Sequence, residues 1–247
     1  MIKVLVNGAN GKMGQAACEA IRDSSQCELV ASADKGDDLS LKIADSSPDV
    51  VLELTQPDGL CDRVKAVLAQ GIHCVVGATG LTDADHQALN ELALAHNKAV
   101  LVCPNFAIGA ILMMKFAVEA SKYLNQVEII EYHHTQKADS PSGTAIKTAD
   151  AIYDAGHPVN PELEDLQKTE LIKGVRGGAQ HRIPIHSVRA SGYVATQDVV
   201  LGGIGQTLTI RHDTINRDGF MPGILLALEK VSQLKGLVYG LENVMDH

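Results

Sequence analysis

Residues 131 to 145 read Glu-Tyr-His-His-Thr-Gln-Lys-Ala-Asp-Ser-Pro-Ser-Gly-Thr-Ala. Two histidines, a lysine and a helix-starting Ser-Pro-Ser-Gly-Thr run are the residue types of an anion-binding catalytic site. An imidazole such as that of His133 ordinarily titrates near roughly 6.5, so it can give or take a proton at neutral pH. Lys137 adds charge and a second exchangeable proton. Ser140 or Ser142 can cap the following helix, Pro141 suits its first turn, and Gly143 lets a ligand reach bare backbone. The N–H groups of Gly143 and Thr144, the Ser142 and Thr144 hydroxyls and His134 can together hold a carboxylate or phosphate at the positive end of the helix dipole. No metal is expected. Adjacent residues in extended chain point to opposite faces, so His133 and His134 could share an ion only across a sharp turn, and no H-x-x-x-H or H-x-H pattern supports them, even with His181 and His186 considered.

These side chains need a frame. Val127 to Tyr132 reads as a strand and Thr144 to Ala155 has helical spacing, which places His133, His134 and Lys137 on the loop between. A second chemical centre lies upstream. Gly8-Ala9-Asn10-Gly11-Lys12-Met13-Gly14 follows an apolar strand, Ile2 to Val6, and opens a helix, the placement a dinucleotide-binding turn requires. Asp34 ends the second strand, where its carboxylate can accept from the adenosine ribose. Asp34 suits the free 2'-hydroxyl of NADH, while Lys35 and Lys12 can hold the 2'-phosphate of NADPH, so both cofactors remain open.

From residue 1 to about 104, short apolar runs at Ile2 to Val6, Cys27 to Ala33, Val50 to Leu54, Cys74 to Val76 and Val100 to Val102 alternate with helical stretches. That order predicts a doubly wound, Rossmann-like parallel sheet, with a small or irregular helix between Lys35 and Pro48. After a helix at Ile108 to Tyr123 the period changes. Val127 to Tyr132, Ile183 to Arg189, Tyr193 to Leu201 and Thr207 to His212 predict an α+β region with a mostly antiparallel sheet and a turn at Gly202 to Gly205. Gly174 to Gln180 reads as a mobile loop and Phe220 to Leu234 as a final helix. The expected domains are 1–104 with 218–247 for the dinucleotide and 105–217 for substrate.

Bulk properties narrow the classes. The 247 residues hold 45% hydrophobic and 21% charged side chains, ordinary for a soluble enzyme, and lack any apolar run near the roughly 20 residues of a membrane span. A net charge of -9 excludes the basic face that nucleic acid demands. The start reads as a strand rather than a signal peptide, and the five cysteines, odd in number and mostly in apolar runs, read as reduced core residues. A cytoplasmic location is the expectation.

His-His-x-x-Lys-x-Asp-x-Pro-Ser-Gly-Thr-Ala, from His133 to Ala145, resembles the signature of the bacterial 4-hydroxy-tetrahydrodipicolinate reductases, also called dihydrodipicolinate reductases, of lysine and diaminopimelate synthesis. With the glycine motif before it and an Arg-containing stretch after it, the resemblance spans nearly the whole chain. It implies hydride transfer from NADH or NADPH to a cyclic imine dicarboxylate, with His133 as principal acid and Lys137 as its partner. Gly77-Ala78-Thr79-Gly80 and Cys103-Pro104-Asn105-Phe106 match the family's further cofactor contacts, with Ala78 in place of a threonine. Arg217 falls where the family has an arginine, suited to clamp a substrate carboxylate or to stabilise closure, with Phe220 near it. The resemblance also implies a homotetramer built through the second domain's sheet, and members often accept both cofactors. Thr135, Gln136, Gln197 and Asp198 stand where many members carry basic residues or histidine, which lowers the positive charge. Two other readings of the residues are a dehydrogenase of a semialdehyde or sugar, and a dinucleotide-sensing module without catalysis.

Overall fold

The protein is described by a computed structural model that covers residues 1–161 and 170–245. Of the two expected domain spans, 162–169 and 246–247 lie outside the described residues. The chain forms two compact units, one of Met1–Ile108 with the chain from Arg217 onward, the other of Gly109–Asn216. Among the described residues no helix is long and apolar enough to cross a membrane.

The first unit is built on a wholly parallel sheet of β1 (Ile2–Asn7), β2 (Cys27–Ala33), β3 (Val50–Glu53), β4 (His73–Val76), β5 (Ala99–Val102) and β11 (Gly236–Tyr239), in the order β11-β5-β4-β3-β1-β2. Its strands are short and apolar because both faces are covered. On one face Leu5, Val51, Cys74, Val76 and Val100 pack with Ile43 of α2 (Leu39–Ser46), Leu60, Val64 and Leu68 of α3 (Leu60–Ala69), and Leu89 of α4 (Asp83–Ala95). Val4, Val6, Leu52 and Leu101, of the other parity, are buried as well, and β1 and β2 meet α1 (Lys12–Asp23) and α7 (Met221–Lys230). Each such side chain contributes roughly 1.5–3 kcal/mol through burial.

Order reverses between β1 and β3, so the turns after these strands border the switch point where an open α/β sheet takes its ligand. The short second connection holds a small helix of eight residues, as expected, which Asp38 caps by accepting from Ser40 N and Leu41 N. The expected final helix is broken into a 3-10 turn at Arg217–Phe220, α7, and a second 3-10 turn at Val231–Gln233. After it the chain adds β11, a strand the sequence did not announce.

The second unit carries α5 (Ile108–Ser121), which starts at the boundary, β6 (Gln126–His133), α6 (Gly143–Asp154), β7 (Gly178–Gln180), β8 (Ile183–Arg189), β9 (Ala195–Gly203) and β10 (Gln206–Thr214). Its sheet runs β10-β9-β6-β8-β7, antiparallel except for the β6·β8 pair. Period-two alternation puts Val127, Ile129, Ile183, Ile185, Val199 and Leu201 on one buried face. Further along that face the row turns polar: Glu131 lies beside Gln197 and Ser187, and His133 beside Arg189.

Part of the expected mobile loop is strand. Gly178–Gln180 pairs with Ile183–Ile185 through a two-residue turn in which His181 and Arg182 both take left-handed φ, 49° and 67°. His181 is held there by stacking on Tyr153 at 4.0 Å and by its 3.0 Å approach to Asp150. The later hairpin turns at Ile204-Gly205 only, since Gly202 and Gly203 remain in β9.

Candidate active site

The glycine turn after β1 is tied down by backbone. Gly8 N and Ala9 N both donate to Ala33 O, at 2.9 and 3.1 Å, and Gly8 has φ +91°. A Cβ at Gly8 would stand 2.9 Å from the Leu54 carbonyl carbon, and one at Gly14 would stand 2.8 Å from Ala9 Cα. Only glycine lets strand, turn and helix approach this closely. Gly11 is the N-cap of α1 and brings no side-chain cap, so the first amides of the helix at Lys12 and Met13 keep their donors for an anion. Lys12 and Asn10 are exposed.

Asp34 is already engaged. Its carboxylate accepts from Asn10 N and Lys35 N, both at 2.7 Å, and the Lys35 and Asn10 amides hold it below its ordinary range. Each oxygen keeps a further lone pair for a ribose hydroxyl. Lys35 is exposed beside it.

The segments at the ends of β4 and β5 divide. Gly77 is required by space, since a Cβ there would meet Leu54 Cδ2 at 2.6 Å and Phe106 Cε2 at 2.7 Å. Thr79, Pro104 and Asn105 reach the surface to different extents, whereas Ala78, Cys103 and Phe106 are buried. The side chains of Cys103 and Phe106 therefore pack the core, and any contact these residues make with a cofactor falls to their backbone. A small hollow of about 70 Å³ opens here, lined by Ala78, Thr79, His86, Pro104 and Tyr239 among others.

Beneath the same end of the sheet lies a group that sequence reasoning missed. Glu53, 1% exposed, accepts from Asn7 Nδ2 at 2.6 Å and Thr55 N at 2.9 Å, and Arg63 Nε stands 3.5 Å away. Arg63 also donates to the carbonyls of Gln56 and Asp58, both at 2.6 Å. Through this half-buried pair and its carbonyl contacts, Arg63 fixes the 54–59 loop beside Gly8.

In the second unit, His133 is the last residue of β6 and not on the loop, so it shares a face with Glu131. His133 Nδ1 lies 2.5 Å from Glu131 Oε2. Glu131 is fully buried, and Arg189 donates to both its oxygens at 2.9 Å. Burial pushes the His133 imidazole below its ordinary 6.5, with Glu131 pulling the other way and Lys137 and Arg189 adding to the fall. Burial also pushes the Glu131 carboxyl up, but hydrogen bonds from Arg189, Ser187 and His133 outweigh it and hold it below 4.5.

The loop 134–142 is pinned to this cluster. Arg189 Nη2 donates to Asp139 O at 2.8 Å, and both Asp139 oxygens lie 2.7 Å from Lys137 Nζ. His134 is exposed.

Ser142 caps α6 by accepting from Ala145 N at 3.2 Å. It is 4% exposed, and its hydroxyl holds the helix. Pro141 precedes the cap instead of occupying the first turn. Gly143 and Thr144 open the helix, so their amides have no intrahelical partner, and a Cβ added at Gly143 would have nothing within 4 Å.

Beside the helix start lies a cavity of about 530 Å³, lined by Ser140, Pro141, Gly177, Gln180 and Ser187 among others. His133, His134, Lys137, Gly143 and Thr144 are not among the residues that line it. Gly177 of its wall is needed, since it has φ +76° and a Cβ there would meet the Ile185 carbonyl carbon at 3.0 Å.

Other expected residues go elsewhere. Gln197 sits on the inner face, donating to Thr148 Oγ1 at 2.8 Å, but Asp198 is on the outer face with Tyr132 and Arg211. His186 is also on the outer face, paired with Glu128 at 2.9 Å. Arg217 is exposed at the head of its 3-10 turn in the first unit.

Comparison with known proteins decides the lineage. Residues 2–106 match the family described as "Dihydrodipicolinate reductase, N-terminus", and residues 109–245 its C-terminus. The chain belongs to the dihydrodipicolinate reductase family. Among its relatives, the 4-hydroxy-tetrahydrodipicolinate reductase of Syntrophomonas wolfei is 44% identical over 98% of both chains. That of Mycolicibacterium smegmatis is 46% identical over 99% of both. The solved dipicolinate-bound dihydrodipicolinate reductase of Paenisporosarcina sp. superposes with a TM-score of 0.88 at 39% identity, covering 99% of this chain and all of that one. As a member of this reductase family the chain is an oxidoreductase.

Proposed function

We infer that this protein reduces 4-hydroxy-tetrahydrodipicolinate to tetrahydrodipicolinate with NADH or NADPH, a step of lysine and diaminopimelate synthesis. The observation that carries the reading is a half-buried imidazole braced on a buried carboxylate, in the unit whose α6 starts with open amides, within a family of that activity from end to end. The solved relative binds dipicolinate, a ring bearing two carboxylates, which is the chemistry of this substrate.

The first unit is the dinucleotide domain. Its fit rests on the bare glycine turn at Gly8, Gly11 and Gly14, the uncapped amides at Lys12 and Met13, and Asp34 with Lys35 beside the turn. When bound, the nicotinamide supplies the hydride. The second unit is the substrate domain. The amides of Gly143 and Thr144, the Thr144 hydroxyl and His134 bind carboxylate, helped by the helix dipole and by the charge of Lys137. Arg217, where the resemblance has an arginine, is suited to clamp a substrate carboxylate or to stabilise closure. Once water has left the ring and hydride has been accepted, His133 protonates the resulting enamine carbon, and Lys137, oriented by Asp139, assists.

The reading includes a homotetramer formed through the second unit's sheet and a cytoplasmic place of work. Loss of reduced-cofactor absorbance with freshly generated substrate tests the activity. Turnover with a semialdehyde or sugar alone, or cofactor binding with no substrate-dependent oxidation, overturns it. His133→Ala and Lys137→Ala should each cut turnover by about 100-fold or more.

A further inference from the structure

Glu131 and Arg189 touch neither ligand in the scheme above, yet they form a two-bond ion pair beside His133 whose carboxylate is fully buried. We propose that both are positioning residues of the proton transfer: Glu131 fixes the His133 imidazole with a proton on Nδ1, and Arg189 holds Glu131 together with the loop that carries Lys137. The proposal rests on His133 being the proton donor.

A carboxylate only accepts, so the nitrogen 2.5 Å from Glu131 Oε2 is the donor and Nδ1 keeps its hydrogen in both ionisation states of the ring. The exchangeable proton is then confined to Nε2. In the transfer the Nε2–H bond of the imidazolium breaks, a C–H bond of the product forms, and the ring is left neutral, still donating from Nδ1. It takes its next proton from water. Without Glu131 the opposite tautomer becomes accessible, the ring loses the partner that fixes its orientation, and the imidazolium loses the carboxylate that favours it.

Glu131 cannot do this alone, because an isolated buried carboxylate is strongly destabilising. Arg189, its side chain 20% exposed, neutralises it through two 2.9 Å bonds whose fork matches the carboxylate. The same guanidinium reaches Asp139 O at 2.8 Å, and the Asp139 carboxylate grips Lys137 Nζ. Both proton-bearing groups therefore hang from one ion pair. The charges that face His133 are Glu131 from its own strand, Arg189 from β8 and Lys137 from the loop, while its β9 neighbour in register is the uncharged Ala195. Glu131 is the one group among them that favours the imidazolium.

Glu131→Gln in the full-length enzyme should lower kcat by about 100-fold or more, by analogy with other carboxylate-oriented histidines, and leave substrate and cofactor KM within about threefold. The alkaline limb of its kcat–pH profile should move to lower pH. In a His133→Ala background the same change should cost nothing further. Arg189→Lys, which keeps the charge but loses the fork, should lower kcat by about tenfold. An unmoved pH profile, or an equal loss in the His133→Ala background, overturns the proposal in favour of a purely structural role. Ring 15N NMR of His133 in the unmutated protein decides independently of whether the variants fold: the Nδ1–H form is expected, and a dominant Nε2–H form overturns the proposal. Normal turnover of His133→Ala would instead sink the donor role itself, a separate failure that the NMR result does not share.

Discussion

Replacing Gly143 by alanine separates ligand binding from folding. The added methyl meets no atom within 4 Å, and Gly143 is outside the left-handed region, so nothing in the protein opposes it. Alanine also removes unfolded-chain freedom and favours helix by up to about 1 kcal/mol in a helix interior. At a first helical position about half of that is reasonable, so the variant should melt about 1–2 °C higher. For a ligand the balance is opposite. A carboxylate oxygen about 2.9 Å from the open amides would be crowded by a new carbon that must keep more than roughly 3.3 Å from it. Losing one charge-assisted hydrogen bond costs about 1.5–3 kcal/mol, equivalent to about 10- to 150-fold in affinity. Thermal unfolding with steady-state kinetics should therefore show equal or higher Tm, raised substrate KM and unchanged cofactor KM. An unchanged substrate KM in a variant of undiminished stability would refute the placing of the carboxylate at this helix start.

Three further outcomes are expected. Gly14→Ala should raise cofactor KM by about tenfold or more and lower stability by about 1–3 kcal/mol, because its Cβ would stand 2.8 Å from Ala9 Cα; unchanged cofactor kinetics would argue against the turn. Ser142→Ala should cost about 1–2 kcal/mol, since it removes a buried cap and strands the Ala145 amide; a Tm within 1 °C of the parent, against the roughly 2–4 °C per kcal/mol expected for this size, would contradict it. His73, His133 and His212 are each held below 6.5 by burial, so the unfolded chain binds more protons than the folded one as pH falls through that value. Their stability contribution is present above pH 6.5 and is lost as pH drops toward their folded values, so Tm should decline from pH 7.5 to 5, and a flat or rising curve would oppose the burial argument.

Legibility followed the range of the interactions. The strands of the first sheet read directly because burial on both faces leaves nearly continuous apolar runs, as in Val-Val-Leu at 50–52. The glycine turn and the start of α6 are local and were legible from spacing. Glu131 and Arg189 lie 58 residues apart, so their pairing becomes visible only when β8 is known to lie beside β6. The alternation of Glu131 with His133 was the available signal, hidden because the strand was ended one residue early. The burial of Ser142, Cys103 and Phe106 was not legible, since a motif does not say which members face inward. Strand β11 escaped because four residues between Lys235 and Gly240 carry too little pattern to outweigh the helix before them.

That edge strand has a consequence for biogenesis. The parallel sheet draws five strands from residues 2–102 and its sixth from residues 236–239, so β5 keeps an open backbone edge until residues 236–239 have been made. A nascent chain leaving the ribosome carries this unfinished ladder while more than one hundred intervening residues are still being made. Residues 236–239 thus serve as a clasp made well after the strand they cover, and premature termination after residue 216 leaves a sticky template on which chains can assemble edge to edge.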